Sequence, residues 1–196
     1  MKKLVLSLSL LAGVIGAAQA QSTIGITVGV GRTSLLGNNV YSSVNHFAYQ
    51  AGLTADAYFG ETISFHPELL YTKQYFDASD SHLSRDVDYI SVPLLARYHA
   101  DGLFFEAGPE VNFTLAAKNE DGNDVKSQAQ SVVLNYVVGL GYQLNHGPSL
   151  GIRYDGGATN VFKSDVATLG TGKLKSSTFW LNLSYAFGGS GSSTRR

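Results

Sequence analysis

The sequence has no cysteine, few charges and no long apolar run after its first twenty residues. Without cysteine, no disulfide framework can hold the fold together, so its secondary structure must do so. Charged residues make up 15% of the 196 residues, the net charge is −1 and no basic stripe exists, so nucleic acid is not an expected partner. A spanning helix needs about 20 apolar residues, and no such run occurs after residue 20. These absences exclude a helical membrane anchor and a disulfide-rich scaffold.

The N-terminal residues fit a signal peptide. Lys2 and Lys3 supply the positive end, residues 4–18 form an apolar run, and Ala18-Gln19-Ala20 has the small-residue cleavage pattern. The apolar run is about 15 residues long, which is short for a spanning helix. We therefore predict export, with cleavage after Ala20.

The most informative pattern is a strict alternation of two kinds of side chain. The segment "YISVPLLARY" places Ile90 and Val92 in one row, and Ser91 and Arg97 in the other. A period of two is typical of β-strands, and "ADG" at 100–102 predicts a tight hairpin. Helical periodicity is absent. Eight alternating segments are predicted, at residues 23–32, 47–59, 62–75, 87–99, 103–116, 131–144, 149–158 and 178–187.

The connections between these segments alternate in length. Three are tight turns rich in glycine, aspartate or asparagine, at residues 60–61, 100–102 and 145–148. Four are long and polar, at residues 33–46, 76–86, 117–130 and 159–177. Short turns at one end and long loops at the other are typical of outer-membrane barrels, whose short turns are periplasmic. A strand of about 13 residues, tilted by about 45°, also covers the roughly 30 Å of a hydrocarbon core.

The composition of the two rows predicts which face meets lipid. One row of each strand is continuous and apolar, as in Ile24, Ile26, Val28 and Val30. The partner rows are small or polar, and the strands contain few lysines, mainly Lys73, so neither row resembles a water-exposed surface. We therefore predict an all-β, eight-stranded, antiparallel up-and-down transmembrane β-barrel with its apolar face outside, which leaves no unpaired strand edge in lipid. The predicted organisation is a signal peptide at 1–20, an outer-membrane β-barrel domain at 21–187 and a flexible Gly/Ser tail at 188–196.

Several segments resemble a known family. "YISVPLLARY" (89–98) is similar to the Pro-Leu-Leu strand of the PorT-like outer-membrane β-barrel domains of Bacteroidetes-type bacteria, and "FFEAGPEVNF" (104–113) to their following Gly-Pro strand. "LGIRYDGGATNVF" (150–162) and "TFWLNLSYAF" (178–187) resemble later strands of the same family. The fold also resembles the eight-stranded barrels of OmpA and OmpX. The PorT resemblance implies a component of a protein secretion machine. Chains of this family often end at a terminal aromatic residue, and this sequence departs from that pattern because nine further residues follow Phe187.

Charged side chains in the predicted inward rows are candidates for a lumen charge cluster. They are Asp56, His66, Glu68, Arg97, Glu106, Glu110, Arg153 and Asp155. Counted from the nearest short turn, they should meet at one level of the barrel. We expect a structural salt-bridge plug, because an eight-stranded barrel is just wide enough for its own side chains and buried charges must be paired. A path for protons or small ions is the alternative.

Two loop motifs suggest weaker alternatives. His82 and Ser84, with Asp80 and Asp86 nearby, could form the site of a lipid-modifying enzyme at the barrel rim, although a polar loop lacks the rigidity that a nucleophile needs. Residues 118–126, "KNEDGNDVK", could bind a divalent cation but lack the calcium-loop spacing. A solvated loop and a polar turn are the simpler interpretations, so we predict no enzyme activity, no cofactor and no metal. The candidates for interfacial aromatic girdles are Tyr71, Tyr75, Tyr98, Tyr142, Tyr154 and Tyr185.

The sequence thus predicts a non-catalytic outer-membrane barrel with a plugged lumen and four long extracellular loops. Its expected role is membrane structure or surface contact through those loops. A secretion component, a small ion pore and a lipid-modifying enzyme are the alternatives. The expected partners are outer-membrane lipid, the barrel-assembly machinery during insertion, and a surface or secretion-system protein.

Overall fold

The computed structural model describes residues 22–36, 46–76, 85–119, 121–144, 147–163 and 174–187, and these form a closed β-barrel. Each strand pairs antiparallel with its sequence neighbours, and β1 also pairs with β8. The strands are β1 (Ser22–Leu36), β2 (His46–Tyr58), β3 (Ile63–Phe76), β4 (Arg85–Ala100), β5 (Leu103–Asn119), β6 (Val132–Gln143), β7 (Pro148–Gly157) and β8 (Lys175–Phe187). The predicted eight-stranded up-and-down barrel is confirmed. No helix in the described ranges is long and apolar enough to cross a membrane.

The two ends of the barrel differ, as the loop lengths predicted. At one end, here called the turn end, short connections join β2 to β3, β4 to β5 and β6 to β7. The β4–β5 turn places Asp101 at φ 48° and Gly102 at φ 85°. Two successive positive φ angles characterise the tight turn that matches the twist of a hairpin, and glycine adopts them without strain. The opposite end, here called the loop end, carries the long connections.

The inner and outer walls have the predicted composition. On β1, the outward Ile24 is 64% exposed and the inward Thr27 is 1% exposed, and the alternation continues along the strand. Outward side chains on the other strands are likewise large and apolar, with Phe47 and Phe179 both at least 65% exposed. A soluble barrel would bury these residues, whereas a membrane barrel presents them to lipid.

No β-bulge lies beside Pro93 or Pro109 in the described strands. Pairs on either side of these prolines keep one register along β4 and β5, and the register shift of this strand pair lies between Asp88 and Tyr89. A proline removes one ladder donor, so it can leave a pair unformed without requiring an extra residue. The facing of both strands is therefore as the alternation predicted.

Candidate functional site in the barrel interior

Six charged side chains form a closed ring of ion pairs and hydrogen bonds across the barrel interior. They project inward from β2, β3, β4, β5 and β7, and each is between 1% and 6% exposed. We call this set the charge ring. In order around it, the members are Asp56, His66, Glu68, Arg153, Glu106 and Arg97.

The two arginines close the ring through the same carboxylate. Arg153 binds Glu68 in a bidentate pair, with Nη1–Oε2 and Nη2–Oε1 distances of 2.6 and 2.9 Å, and its Nε donates to Glu106. Arg97 Nε donates to the other oxygen of Glu106 at 2.8 Å, and its Nη1 reaches Asp56 Oδ2 at 3.5 Å. The planar guanidinium fork suits such pairing because it presents several fixed donors at once.

His66 completes the ring by contacting two carboxylates. Its Nδ1 lies 2.9 Å from Asp56 Oδ1 and its Nε2 lies 2.8 Å from Glu68 Oε1. An ionised carboxylate can only accept hydrogen bonds, so both ring nitrogens must donate, and only the imidazolium does that. With Asp56 and Glu68 ionised, the ring therefore contains three anions and three cations and has no net charge.

Glycines on the inner wall make room for these large side chains. A Cβ at Gly139 would lie 2.9 Å from both Arg153 Cγ and Glu106 Oε1. The Phe104 ring packs under Arg97, with the guanidinium carbon 4.4 Å from its centroid. A Cβ at Gly141 would in turn clash with that ring. The glycine-rich inner rows thus define the space that the charge ring occupies.

Glu110 and Asp155 lie on the same inner wall but outside the ring. Glu110 Oε1 accepts hydrogen bonds from the side-chain amides of Asn112 at 2.7 Å and Asn135 at 3.3 Å. Asp155 Oδ2 accepts a bond from the Trp180 indole at 2.7 Å. In the described part of the chain, neither carboxylate has a cation within ion-pair distance. The structure thus connects six of the eight predicted residues and places two among neutral donors.

Sequence reasoning missed an apolar cluster at the loop end of the interior. We call it the mouth cluster; it contains Leu35, Phe76, Val87, Tyr89, Ala117, Val125, Ala129, Val133, Val161, Phe162 and Leu174. Five of these come from the described segments of two long connections, β5–β6 and β7–β8, and these segments fold inward. The segments are held there by a bridge between Ala129 and Phe162 and by a bond from Val161 N to Leu174 O at 2.9 Å. The sequence carried no signal for this cluster, because the apolar-outward alternation of β1 ends at Val30 and Leu35 is an inward apolar residue.

At the turn end, the charge ring is connected to a half-buried histidine. Ser64 Oγ lies 2.8 Å from His99 Nε2 and donates to Asp56 Oδ1 at 3.2 Å. His99 also stacks on Tyr58, with ring centroids 5.3 Å apart. This arrangement extends the hydrogen-bond network from the ring toward the short turns.

Neither loop motif forms a catalytic or metal-binding arrangement among the described residues. Asp80, His82 and Ser84 lie outside the described residues, and Asp86 pairs with Lys73 at 3.7 Å. Within residues 118–126, side-chain oxygens bind neighbouring backbone and amide groups, and Asp124 Oδ1 accepts from Lys126 N at 2.8 Å. No group of three or more acidic, histidine or cysteine side chains in the described ranges could hold a metal ion.

The predicted girdle tyrosines all project from the outer wall. The exposed ones are Tyr71, Tyr98, Tyr142 and Tyr185, whereas Tyr75 and Tyr154 are half-buried against neighbouring rings. Their outward positions are compatible with interfacial girdles.

The chain belongs to the family described as outer membrane protein beta-barrel domain, whose model matches residues 17–188. The protein is thus a β-barrel of the bacterial outer membrane. No curated protein sequence matches the chain.

Solved structures share its fold at low sequence identity. Neisserial surface protein A is 13% identical, with a TM-score of 0.57, over 85% of this chain and 99% of its own. Ail, the attachment invasion locus protein of Yersinia pestis, solved in complex with the heparin analogue sucrose octasulfate, is 16% identical. Its TM-score is 0.51, over 85% of this chain and 99% of its own.

Proposed function

We propose that the protein is a non-catalytic outer-membrane barrel with a closed lumen, which acts by surface contact through its extracellular loops. The observation that supports this proposal is the charge ring, which links side chains from five strands across the interior. An ion entering the lumen would have to separate pairs such as Arg153 and Glu68, whose side chains are at most 4% exposed. Leaving either charge buried and unpaired costs several kcal/mol, and this cost opposes the passage of an ion.

The mouth cluster supports the same proposal at the loop end. Its buried apolar side chains would force a permeating ion to lose water without gaining polar ligands, which is how hydrophobic constrictions block channels. Phe76 and Phe162 meet edge to face there, with centroids 6.2 Å apart. Described segments of two long loops contribute to this cluster, so these segments pack against the barrel at its loop end.

A surface-contact role fits the position of the long connections. Ail is by its name an attachment protein and binds a heparin analogue. At 16% identity that property belongs to Ail, and for this chain it suggests only the kind of partner to test first. Outer-membrane lipid and the barrel-assembly machinery are further proposed partners, since any such barrel must be inserted and surrounded by lipid.

A PorT-like role in protein secretion is the second proposal. It depends on the two segments 89–98 and 104–113, which form adjacent strands that carry Arg97 and Glu106 of the charge ring. Crosslinking in intact cells followed by purification tests it. Reproducible capture of inner-membrane or periplasmic secretion proteins would favour this proposal over a self-contained surface role.

Conductance in planar bilayers tests the closed lumen. We expect the folded wild-type barrel to insert without producing current steps, whereas a variant that combines Arg97→Ala with Phe162→Ala should introduce them by opening both the charge ring and the mouth cluster. Heat-dependent gel mobility of each sample shows that it is folded, and protein-free detergent is the blank. Regular current steps from the wild type would contradict the proposal and favour a small pore.

The absence of catalysis is tested on cellular lipid. We expect lipid A from cells that express the protein to have the same mass as lipid A from cells that express Ser84→Ala. A mass change that requires both Ser84 and His82 would overturn the non-catalytic proposal and assign a lipid-modifying activity.

A further inference from the structure

We propose that the outer wall of the barrel binds the anionic, phosphorylated headgroup of an outer-leaflet lipid at Arg32. The outward row of β1 from Ile24 to Val30 is purely apolar, and Ile26, Val28 and Val30 are all about half exposed. Arg32 is itself exposed on the same wall. A charged side chain on a lipid-facing wall is costly near the bilayer midplane and is tolerated near the interfaces. Arg32 should therefore lie near the membrane interface and contact a polar or anionic group there.

The position of Arg32 along β1 corresponds to the headgroup level. It lies ten residues from Ser22 at the turn end of the strand. At about 3.3 Å per residue and a tilt of about 45°, this is roughly 23 Å along the membrane normal, close to the roughly 25 Å height of a barrel's apolar band. With the long loops outside the cell, the guanidinium reaches the headgroups of the outer leaflet.

Two phenylalanines and a groove surround the guanidinium. Arg32 pairs across the sheet with Phe47 on β2 and Phe179 on β8, and its Cζ lies 5.1 Å from the Phe47 centroid. The groove beside them has a volume of about 310 Å³ and is lined also by Val30, Gly31, Trp180 and Leu181. An apolar groove that ends at a cation matches an acyl chain that ends at an anionic headgroup.

The charge on Arg32 is available to a ligand. In the described part of the chain, no carboxylate pairs with it, and its recorded contact is the Phe47 ring. Lys73, another outward cation at this end, differs because its ammonium lies 3.4 Å from Asp88 and 3.7 Å from Asp86. A guanidinium binds phosphate in a bidentate manner, so Arg32 favours a phospholipid with a net negative headgroup, whereas Lys73 is already paired with carboxylates.

The single tryptophan of the chain provides the assay. Trp180 borders the groove from the inner side of the wall, where its indole donates to Asp155, and brominated acyl chains quench tryptophan fluorescence at short range without direct contact. The purified barrel is reconstituted in phosphatidylcholine vesicles that contain a minor fraction of either brominated phosphatidylglycerol or brominated phosphatidylcholine. We expect brominated phosphatidylglycerol to quench Trp180 as if it were enriched about fivefold beside the groove, the scale of one Arg near an anionic lipid.

Two substitutions separate this site from a general charge effect. Arg32→Gln should abolish the preference for phosphatidylglycerol, and Lys73→Gln, the matched control on β3, should preserve it. Equal quenching by the two lipids in the wild type would overturn the proposal. A preference that survives Arg32→Gln, or that Lys73→Gln removes equally, would overturn it as well.

Discussion

The barrel interior contains carboxylates in two different situations. Glu68 and Glu106 each accept bonds from an arginine and belong to a closed ring of alternating charge. Glu110 and Asp155 are equally buried, at 5% and 4% exposure, yet they accept bonds only from amides and an indole within the described residues. Burial alone therefore does not determine how such a group is stabilised.

The difference between the two situations is one of charge compensation. In the ring, each carboxylate keeps its charge because a cation is within 4 Å and the remaining lone pairs also accept hydrogen bonds. Beside Trp180, Asp155 Oδ1 has no hydrogen-bond partner in the described part of the protein. We expect ring residues to be intolerant of neutralisation and the outlying pair to be tolerant of it.

The largest effect is expected from Arg153→Met. This change leaves Glu68 and Glu106 buried without their shared cation, which costs about 3–5 kcal/mol in comparable buried pairs. Urea unfolding of the reconstituted barrel, followed by Trp180 fluorescence, measures the loss. Arg32→Met makes the same chemical change on the outer wall and should shift the unfolding free energy by no more than about 1 kcal/mol. Similar losses for both variants would mean that the ring has no special role.

A smaller effect is expected from Gly139→Ala. The new Cβ would lie 2.9 Å from Arg153 Cγ, from Glu106 Oε1 and from the backbone oxygen of Ile152, so the ion pair and the adjacent strand must move, at a cost of about 1–3 kcal/mol. Gly151→Ala is the matched control on the next strand, because its Cβ would meet nothing closer than 3.5 Å. The same unfolding measurement applies. If both alanines were equally tolerated, the ring would be loosely packed, and Gly139 would not be needed to make room for Arg153 and Glu106.

The smallest effect is expected from neutralising the outlying pair. Glu110→Gln keeps an acceptor for Asn112, and Asp155→Asn keeps one for the Trp180 indole, while each removes a buried carboxyl group that has no cation beside it. We expect unfolding free energies within about 1 kcal/mol of the wild type, or higher. Glu68→Gln, an equally conservative change inside the ring, should instead cost several kcal/mol. The comparison would break down if Glu110→Gln were as damaging as Glu68→Gln.

The sequence predicted the walls of the barrel better than its interior contacts. Period-two alternation is a local property, so it placed the strands and the inward position of residues such as Arg97 and Glu106. The partners of each inward residue depend on the stagger between strands, which turn counting approximates poorly. Turn counting consequently grouped Glu110 and Asp155 with the ring, although Asn112 and Trp180 donate hydrogen bonds to them in the structure.

The mouth cluster could not be predicted for a different reason. Leu35 and Phe76 lie in segments that the sequence assigned to polar loops, and Phe162 lies beyond the last predicted residue of β7. Apolar residues in a loop become informative only when their inward facing is known. That facing depends on how far the strands extend past the membrane, which hydrophobic alternation does not specify.

A double-mutant cycle between Glu68 and Arg153 tests most directly whether the interior charges act as one unit. The unfolding free energies of Glu68→Gln, Arg153→Met and the double variant are measured in the same vesicles. We predict that the double variant loses less than the sum of the single losses by at least about 1 kcal/mol, since each single change leaves a partner unpaired. Losses that simply add would show that these two groups are independent and would contradict the charge ring as the basis of a closed lumen.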